Sequence, residues 1–201
     1  MLIRRWMTKN PVTIETGDTL AEARRRMDKG GFRRLPVMEH DQLVGIITER
    51  DLRQHVGDLE HTRVKTAMAS QVVRVAPEML LDQAANLFVK HKVGGLPVMD
   101  GAKLVGIITT IDMLRAFAQT LGTSEEGVSR IDLAFSGNSF DLAVIAELVA
   151  QTSGEVLGMG TYDGEANRRD QIVYVRVRSK DDRKIADMLT RNGFRVVAIH
   201  Q

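Results

Sequence analysis

Displaced by 61 residues, the chain lies over itself without a gap, Met7–Arg53 upon Met68–Leu114, and 16 of the 47 paired positions are identical. Identity is densest where Leu35-Pro-Val-Met38 falls on Leu96-Pro-Val-Met99 and Leu43-Val-Gly-Ile-Ile-Thr48 on Leu104-Val-Gly-Ile-Ile-Thr109. Asp51 then meets Asp112. Such a repeat means two copies of one supersecondary unit. Two copies are too few for a solenoid, which takes three or more, so a pseudo-twofold pair is the expected packing.

Each copy reads as strand, helix, two strands, helix. Asp18 is the expected N-cap of a helix with apolar Leu20, Ala23 and Met27, stopped by Gly30-Gly31. Pro77 opens the corresponding helix of the second copy, and Gly94-Gly95 closes it. Leu35–Met38 and Leu43–Ile47 are expected as strands about a His40-Asp41-Gln42 turn, with a helix starting at Thr48. After Ala118 the repeat stops. Gly122–Gly127 is small and polar enough for a linker, and the remainder alternates strand 130–135, helix 140–151, strands 155–162 and 171–178, helix 181–192 and strand 195–200. That order is ferredoxin-like. The fold class is therefore α+β (mixed α/β), with divisions expected at 1–61, 62–121, 122–127 (linker) and 128–201.

The most informative element is the Thr-x-x-Asp at each strand-to-helix junction, Thr48 with Asp51 and Thr109 with Asp112. It has two physical readings. As a capping box, threonine and aspartate satisfy the free N–H groups at the start of a helix and complement its dipole. As a ligand site, the same N–H groups and hydroxyl suit a phosphate, and the carboxylate can accept both hydroxyls of a ribose.

The recurring LPVM, the strand LVGIIT and the trailing aspartate, over residues 7–117, together resemble a CBS-domain pair, or Bateman module. The resemblance implies two copies about a pseudo-twofold axis, with adenine nucleotides (AMP, ADP or ATP) or S-adenosylmethionine as regulatory ligands in two clefts. It places Thr48 and Thr109 on the phosphate or ribose side and Asp51 and Asp112 on the ribose hydroxyls. The base would lie among Thr13, Ile14, Pro36 and Ile46 in one cleft and Arg74, Val75, Pro97 and Ile107 in the other. Arg33 and Arg34 match the family's position for basic residues that reach phosphates, and a guanidinium fork suits that task. The second copy has Gly94-Gly95 there, so the two clefts are expected to differ.

The tail resembles an ACT domain, a small ferredoxin-like fold that often binds amino acids. Its turn 136–140 falls where such domains place a ligand loop, with Gly137 and Asn138 free to take left-handed conformations and Ser139 able to cap the next helix. A CBS pair followed by an ACT domain is also the arrangement of AcuB-like acetoin-utilisation proteins. The resemblance further implies a homodimer and a regulated protein partner. The alternative is an interaction module with empty CBS clefts, whose ACT domain binds an amino acid or mediates dimerisation.

Composition bounds the remaining classes. The chain is 43% hydrophobic and 27% charged, an ordinary globular mix. Its longest apolar runs are about five residues, against roughly 20 for a membrane helix, and no secretory core or cysteine is present. A cytoplasmic protein without membrane association is expected. Residues 1–117 hold 18 basic against 14 acidic residues, and the rest 10 against 12, giving halves of +4 and −2. Neither balance drives nucleic-acid binding. Arg24-Arg25-Arg26, between Glu22 and Asp28, is expected as a solvated helix face. The histidines lack metal-ligand spacing, no cofactor is required, and no constellation for catalysis appears. The chain is expected to be a sensor, not an enzyme.

Overall fold

The computed structural model describes residues 1–55, 57–121, 127–135, 141–163 and 171–201, in two compact units, Met1–Ala116 and Phe117–Gln201. Among the described residues no helix is long and apolar enough to cross a membrane.

The first copy comprises β1 (Thr8–Lys9), β2 (Ile14–Glu15), α1 (Leu20–Gly30), β3 (Arg34–Glu39), β4 (Gln42–Thr48) and α2 (Glu49–Arg53). The second comprises α3 (Val64–Ala67), α4 (Leu81–His91), β5 (Gly95–Asp100), β6 (Lys103–Thr109) and α5 (Thr110–Leu121). The β3–β4 hairpin turns on His40 and Asp41, both at positive φ. Two positive values at the centre of a two-residue loop match the twist of the flanking strands. The first strand of the second copy is a single parallel bridge, Val75 to Val98. It corresponds by the 61-residue offset to Ile14 opposite Val37.

Helix α1 is capped by Thr19, which accepts from Glu22 N at 3.3 Å, and not by Asp18. The Asp18 carboxylate is taken by Glu15 N and Arg26, each at 3.2 Å. The second helix begins at Leu81, four residues after Pro77, with Gln83 accepting from Leu80 N. It ends on left-handed Lys92 (φ 51°), so Gly95 is free to open β5. Of the arginine run, Arg25 pairs with Glu22, and Arg26 pairs with Glu22 and Asp18 and donates to Thr13 O at 2.7 Å.

The two copies exchange their leading segments. Strand β1 pairs with β6 of the second copy, and Ala69, the counterpart of Thr8, bridges Ile46 in β4. Met7 and Met68 ride on these segments. A Cβ on Gly106 would stand 2.5 Å from Met7 Sδ, and one on Gly45 2.5 Å from Met68 Sδ. Glycine at the centre of each LVGIIT strand thus makes room for the crossing segment, as close backbone approach requires. The cores follow: fully buried Ile3 packs with Leu81, Phe88, Leu96 and Ile108 of the second copy, and Val64 with Leu20, Leu35 and Ile47 of the first.

The second unit holds β7 (Val128–Phe135), α6 (Leu142–Gln151), β8 (Glu155–Asp163), β9 (Gln171–Arg178), α7 (Asp182–Arg191) and β10 (Arg195–His200). The antiparallel order β10-β7-β9-β8 is ferredoxin-like. Ile145, Leu148 and Val149 of α6 and Ile185 and Leu189 of α7 pack on Ile131, Leu133, Val173, Val175 and Val177. The cap of α6 is Asp141, accepting from Ala143 N at 2.9 Å, in place of Ser139. The expected ligand loop, with Gly137, Asn138 and Ser139, lies outside the described residues.

Candidate ligand cleft of the repeated unit

At the end of β4 the chain turns directly into α2, and Asp51 folds back on the junction. Thr48 N and Thr48 Oγ1 both donate to Asp51 Oδ2, at 2.8 and 2.7 Å. Thr109 makes the same two bonds to Asp112 Oδ2, at 2.8 and 2.7 Å, and Asp112 N donates back to Thr109 Oγ1 at 3.4 Å. The capping-box reading therefore holds locally. It occupies one carboxylate oxygen, because both bonds from Thr48 fall on Oδ2 of Asp51. A cap and a ligand group are compatible at this junction.

Arg33, Arg34, Ile46, Thr48 and Asp51 line one cleft of about 500 Å³, closed on the other side by Ala69 and by Lys92–Gly95 of the second copy. Its charged lining is Arg33, Arg34, Arg50, Arg53 and Lys92 against Glu49 and Asp51, an excess of three positive charges. Glu49 shares itself between Arg33 at 3.9 Å and Arg53 at 3.7 Å, long contacts between exposed groups that bind little. A cationic concavity concentrates anions.

The two arginines do different things. Arg33 is 84% exposed. Arg34 is half-buried and crosses to the second copy, where Nη1 donates to Gly94 O. A Cβ on Gly94 would stand 2.7 Å from Arg34 Nη2, and one on Gly95 2.5 Å from Arg34 Cδ. Burial lowers the Arg34 pKa from its ordinary value, the Arg33 charge adds to that, and Asp112 opposes it. An arginine so perturbed stays cationic.

Other residues assigned from sequence lie elsewhere. Ile14 is fully buried and Val75 is 3% exposed, each inside its core. Pro36 and Pro97 are buried in β3 and β5, and Ile107 is 7% exposed. Thr13 lines a separate cavity of about 640 Å³ with Pro11, Met38 and Lys103, and its counterpart Arg74 donates to Leu43 O at 2.7 Å. Sequence reasoning missed Lys92. Its signal was the repeat itself: it aligns with Gly31, which has φ 65°, so a lysine occupies a left-handed position that its counterpart fills with glycine. Non-glycine residues kept in that conformation carry strain and cluster at functional positions.

The CBS-domain family profile matches residues 3–58 and 64–119, and the chain belongs to that family. It is 30% identical over 140 residues to an inosine-5'-monophosphate dehydrogenase of Korarchaeum cryptofilum, a match covering 69% of this chain and 29% of that enzyme. The chain thus spans less than half the length of the first curated relatives it matches. Among solved structures, a protein assigned to acetoin utilization (AcuB) from Vibrio cholerae is 32% identical, with a TM-score of 0.56 over 63% of this chain and 96% of that one. The CBS domain pair of protein MJ0100, solved with 5'-methylthioadenosine and S-adenosyl-L-methionine, is 28% identical, with a TM-score of 0.55 over 62% and 98%.

Proposed function

We propose that the chain is a regulatory sensor of an adenine nucleotide, bound in the cleft between the two CBS copies. The observation that carries this reading is the composition of that cleft. The Thr48–Asp51 junction offers a hydroxyl and a carboxylate oxygen for a ribose, and an excess of three positive charges surrounds it. The MJ0100 pair, with its two adenosyl compounds, supports adenosine as the nucleoside. The charge excess favours a phosphate-bearing ligand over S-adenosylmethionine, whose sulfonium is cationic. Ile46 and Val93 supply apolar surface for the base, Thr48 and Asp51 the ribose contacts, and Arg33, Arg34 and Lys92 the phosphate contacts.

Binding here bridges the copies, since Lys92–Gly95 belong to the second and Thr48 and Asp51 to the first. A ligand shifts a conformational equilibrium only through differential affinity for its states. Arg34 supplies that difference, because the same guanidinium that donates to Gly94 O of the second copy is the group that contacts the phosphate. A second ligand site of different affinity at the Thr109–Asp112 junction is supported by the same pair of threonine-to-aspartate bonds there. Homodimerisation through α5 is supported by Ile111, Leu114 and Phe117, 56%, 64% and 65% exposed at a spacing of three residues. The ferredoxin-like order of the second unit supports an ACT-like domain in an AcuB-like arrangement. Calorimetric titration with AMP and with adenosine tests the reading. AMP is expected to bind more tightly than adenosine, and equal affinities remove the phosphate contacts from the account.

A further inference from the structure

Two cross-strand pairs frame the space between the repeated junctions. Arg34 stands opposite Thr48 in the first copy, and Gly95 stands opposite Thr109 in the second. The Arg34 side chain leaves the first pair and lies over the second. Its Nη1 donates to Gly94 O, and a Cβ on Gly95 would stand 2.5 Å from its Cδ and 2.8 Å from its Nη1. One guanidinium therefore reaches from the Thr48 junction to the strand end beside Thr109. Asp112, at that second junction, is 8% exposed. Its Oδ2 is taken by Thr109, and its Oδ1 has a long contact, 3.8 Å, with the exposed Arg115. Burial and then the Arg33 charge lower the Arg34 pKa, and the Asp112 charge opposes both.

The other charges differ between the junctions. The 61-residue offset sets Glu49, Arg50, Arg53 and Lys92 of the first cleft against Thr110, Ile111, Leu114 and Gly31. Apart from Arg33 and Arg34, the first lining carries Arg50, Arg53 and Lys92 against Glu49 and Asp51, an excess of one positive charge. The counterparts of those five residues carry a single charge, the negative one of Asp112. The first junction thus has cations of its own, and the second depends on Arg34. A phosphate paired with Arg34 cancels the cation that crosses toward Asp112, and like-charge juxtaposition then works against a second anion there.

Resting on the reading of both junctions as nucleoside sites, we infer that Arg34 is a specificity residue shared between them. A nucleotide phosphate in the first cleft claims it, and the second site then selects a cationic or neutral nucleoside over a second nucleotide. The two sites are coupled and have opposite charge preferences.

The test is calorimetry on the full chain with AMP, adenosine and S-adenosylmethionine, a ladder of ligand charge from negative to positive. AMP is expected to fill one site per chain, with a second site about tenfold weaker or more. Into the AMP-saturated chain, S-adenosylmethionine is expected to bind about tenfold more tightly than the second AMP, with adenosine between them. AMP is expected to raise the S-adenosylmethionine affinity roughly fivefold or more. Asp112→Asn is expected to weaken that S-adenosylmethionine binding about tenfold and to change AMP affinity less. In Arg34→Ala the second site is expected to take S-adenosylmethionine equally with and without AMP. Should that variant fail to fold, the three titrations of the parent decide. Two AMP molecules bound with equal affinity, or S-adenosylmethionine bound to the AMP-saturated chain no more tightly than the second AMP, overturns the inference and leaves the reading of the first cleft in place. No AMP binding at all overturns that reading and the inference with it.

Discussion

The Arg34 guanidinium occupies the space that a side chain at Gly94 would fill, and it donates to that residue's carbonyl. The first copy's arginine and the second copy's glycine pair are therefore one feature. Arginines at Gly94 and Gly95 would exclude Arg34, so the difference between the copies is built into the packing.

Arg34→Ala removes one phosphate contact and leaves base and ribose contacts in place. A charge-assisted hydrogen bond contributes about 1.5–3 kcal/mol, so AMP affinity is expected to fall about tenfold or more, while adenosine affinity stays within about twofold. Gly95→Ala pushes a Cβ against Arg34 Cδ and is expected to act in the same direction to a smaller extent. Calorimetry with both ligands on both variants checks this.

Asp51→Ala and Asp112→Ala each delete a capping box and are expected to cost about 1 kcal/mol of stability in urea unfolding. Their effects on binding separate. Asp51 lines the cationic cleft, whereas Asp112 does not line it but acts through its charge on Arg34, so Asp51→Ala removes the tighter nucleotide site, while Asp112→Ala keeps its ribose contacts and changes AMP affinity less.

Gly106→Val drives a side chain into Met7 and toward Thr8 O, 3.0 Å from the position of a Cβ. Overpacking of this kind costs about 1–3 kcal/mol. The loss is expected to appear as a lower urea midpoint for the first unit, and Gly45→Val, against Met68 and Ala69 O, is expected to behave alike.

Much of this arrangement was legible in the sequence. The 61-residue offset gave both hairpins and both Thr-x-x-Asp junctions, and tail periodicity gave the ferredoxin-like order. The exchange of leading segments was not legible. Identity of Met7 with Met68 and of Gly45 with Gly106 records that something packs there, but not that each methionine meets the other copy's glycine. Caps were misplaced where a neighbour competed: Asp18 is the better isolated cap, yet Arg26 and Glu15 N claim it and Thr19 takes the role. The polar network around Asp132 depends on cross-strand register between β7, β8 and β10, which one-dimensional spacing does not fix.

Burial opposes ionisation of Asp132, but hydrogen bonds from Arg130 and Tyr162 and the charges of Arg130 and His200 outweigh it, and its pKa lies below the ordinary value. A depressed carboxyl pKa contributes stability that is fully present above the unfolded value, about 3.9, and is lost as pH falls through the folded value. Asp132→Asn is expected to cost about 2 kcal/mol at pH 7. The gap from the parent narrows below about pH 4, as followed by urea unfolding with circular dichroism.

Calorimetric titration of the full chain with AMP, in the parent and in Asp51→Ala, measures whether the Thr48–Asp51 cleft holds the nucleotide. Saturable binding to the parent and loss of the tighter site in the variant are expected. Absence of AMP binding to the parent at millimolar concentration, or binding that Asp51→Ala leaves unchanged, would contradict that assignment.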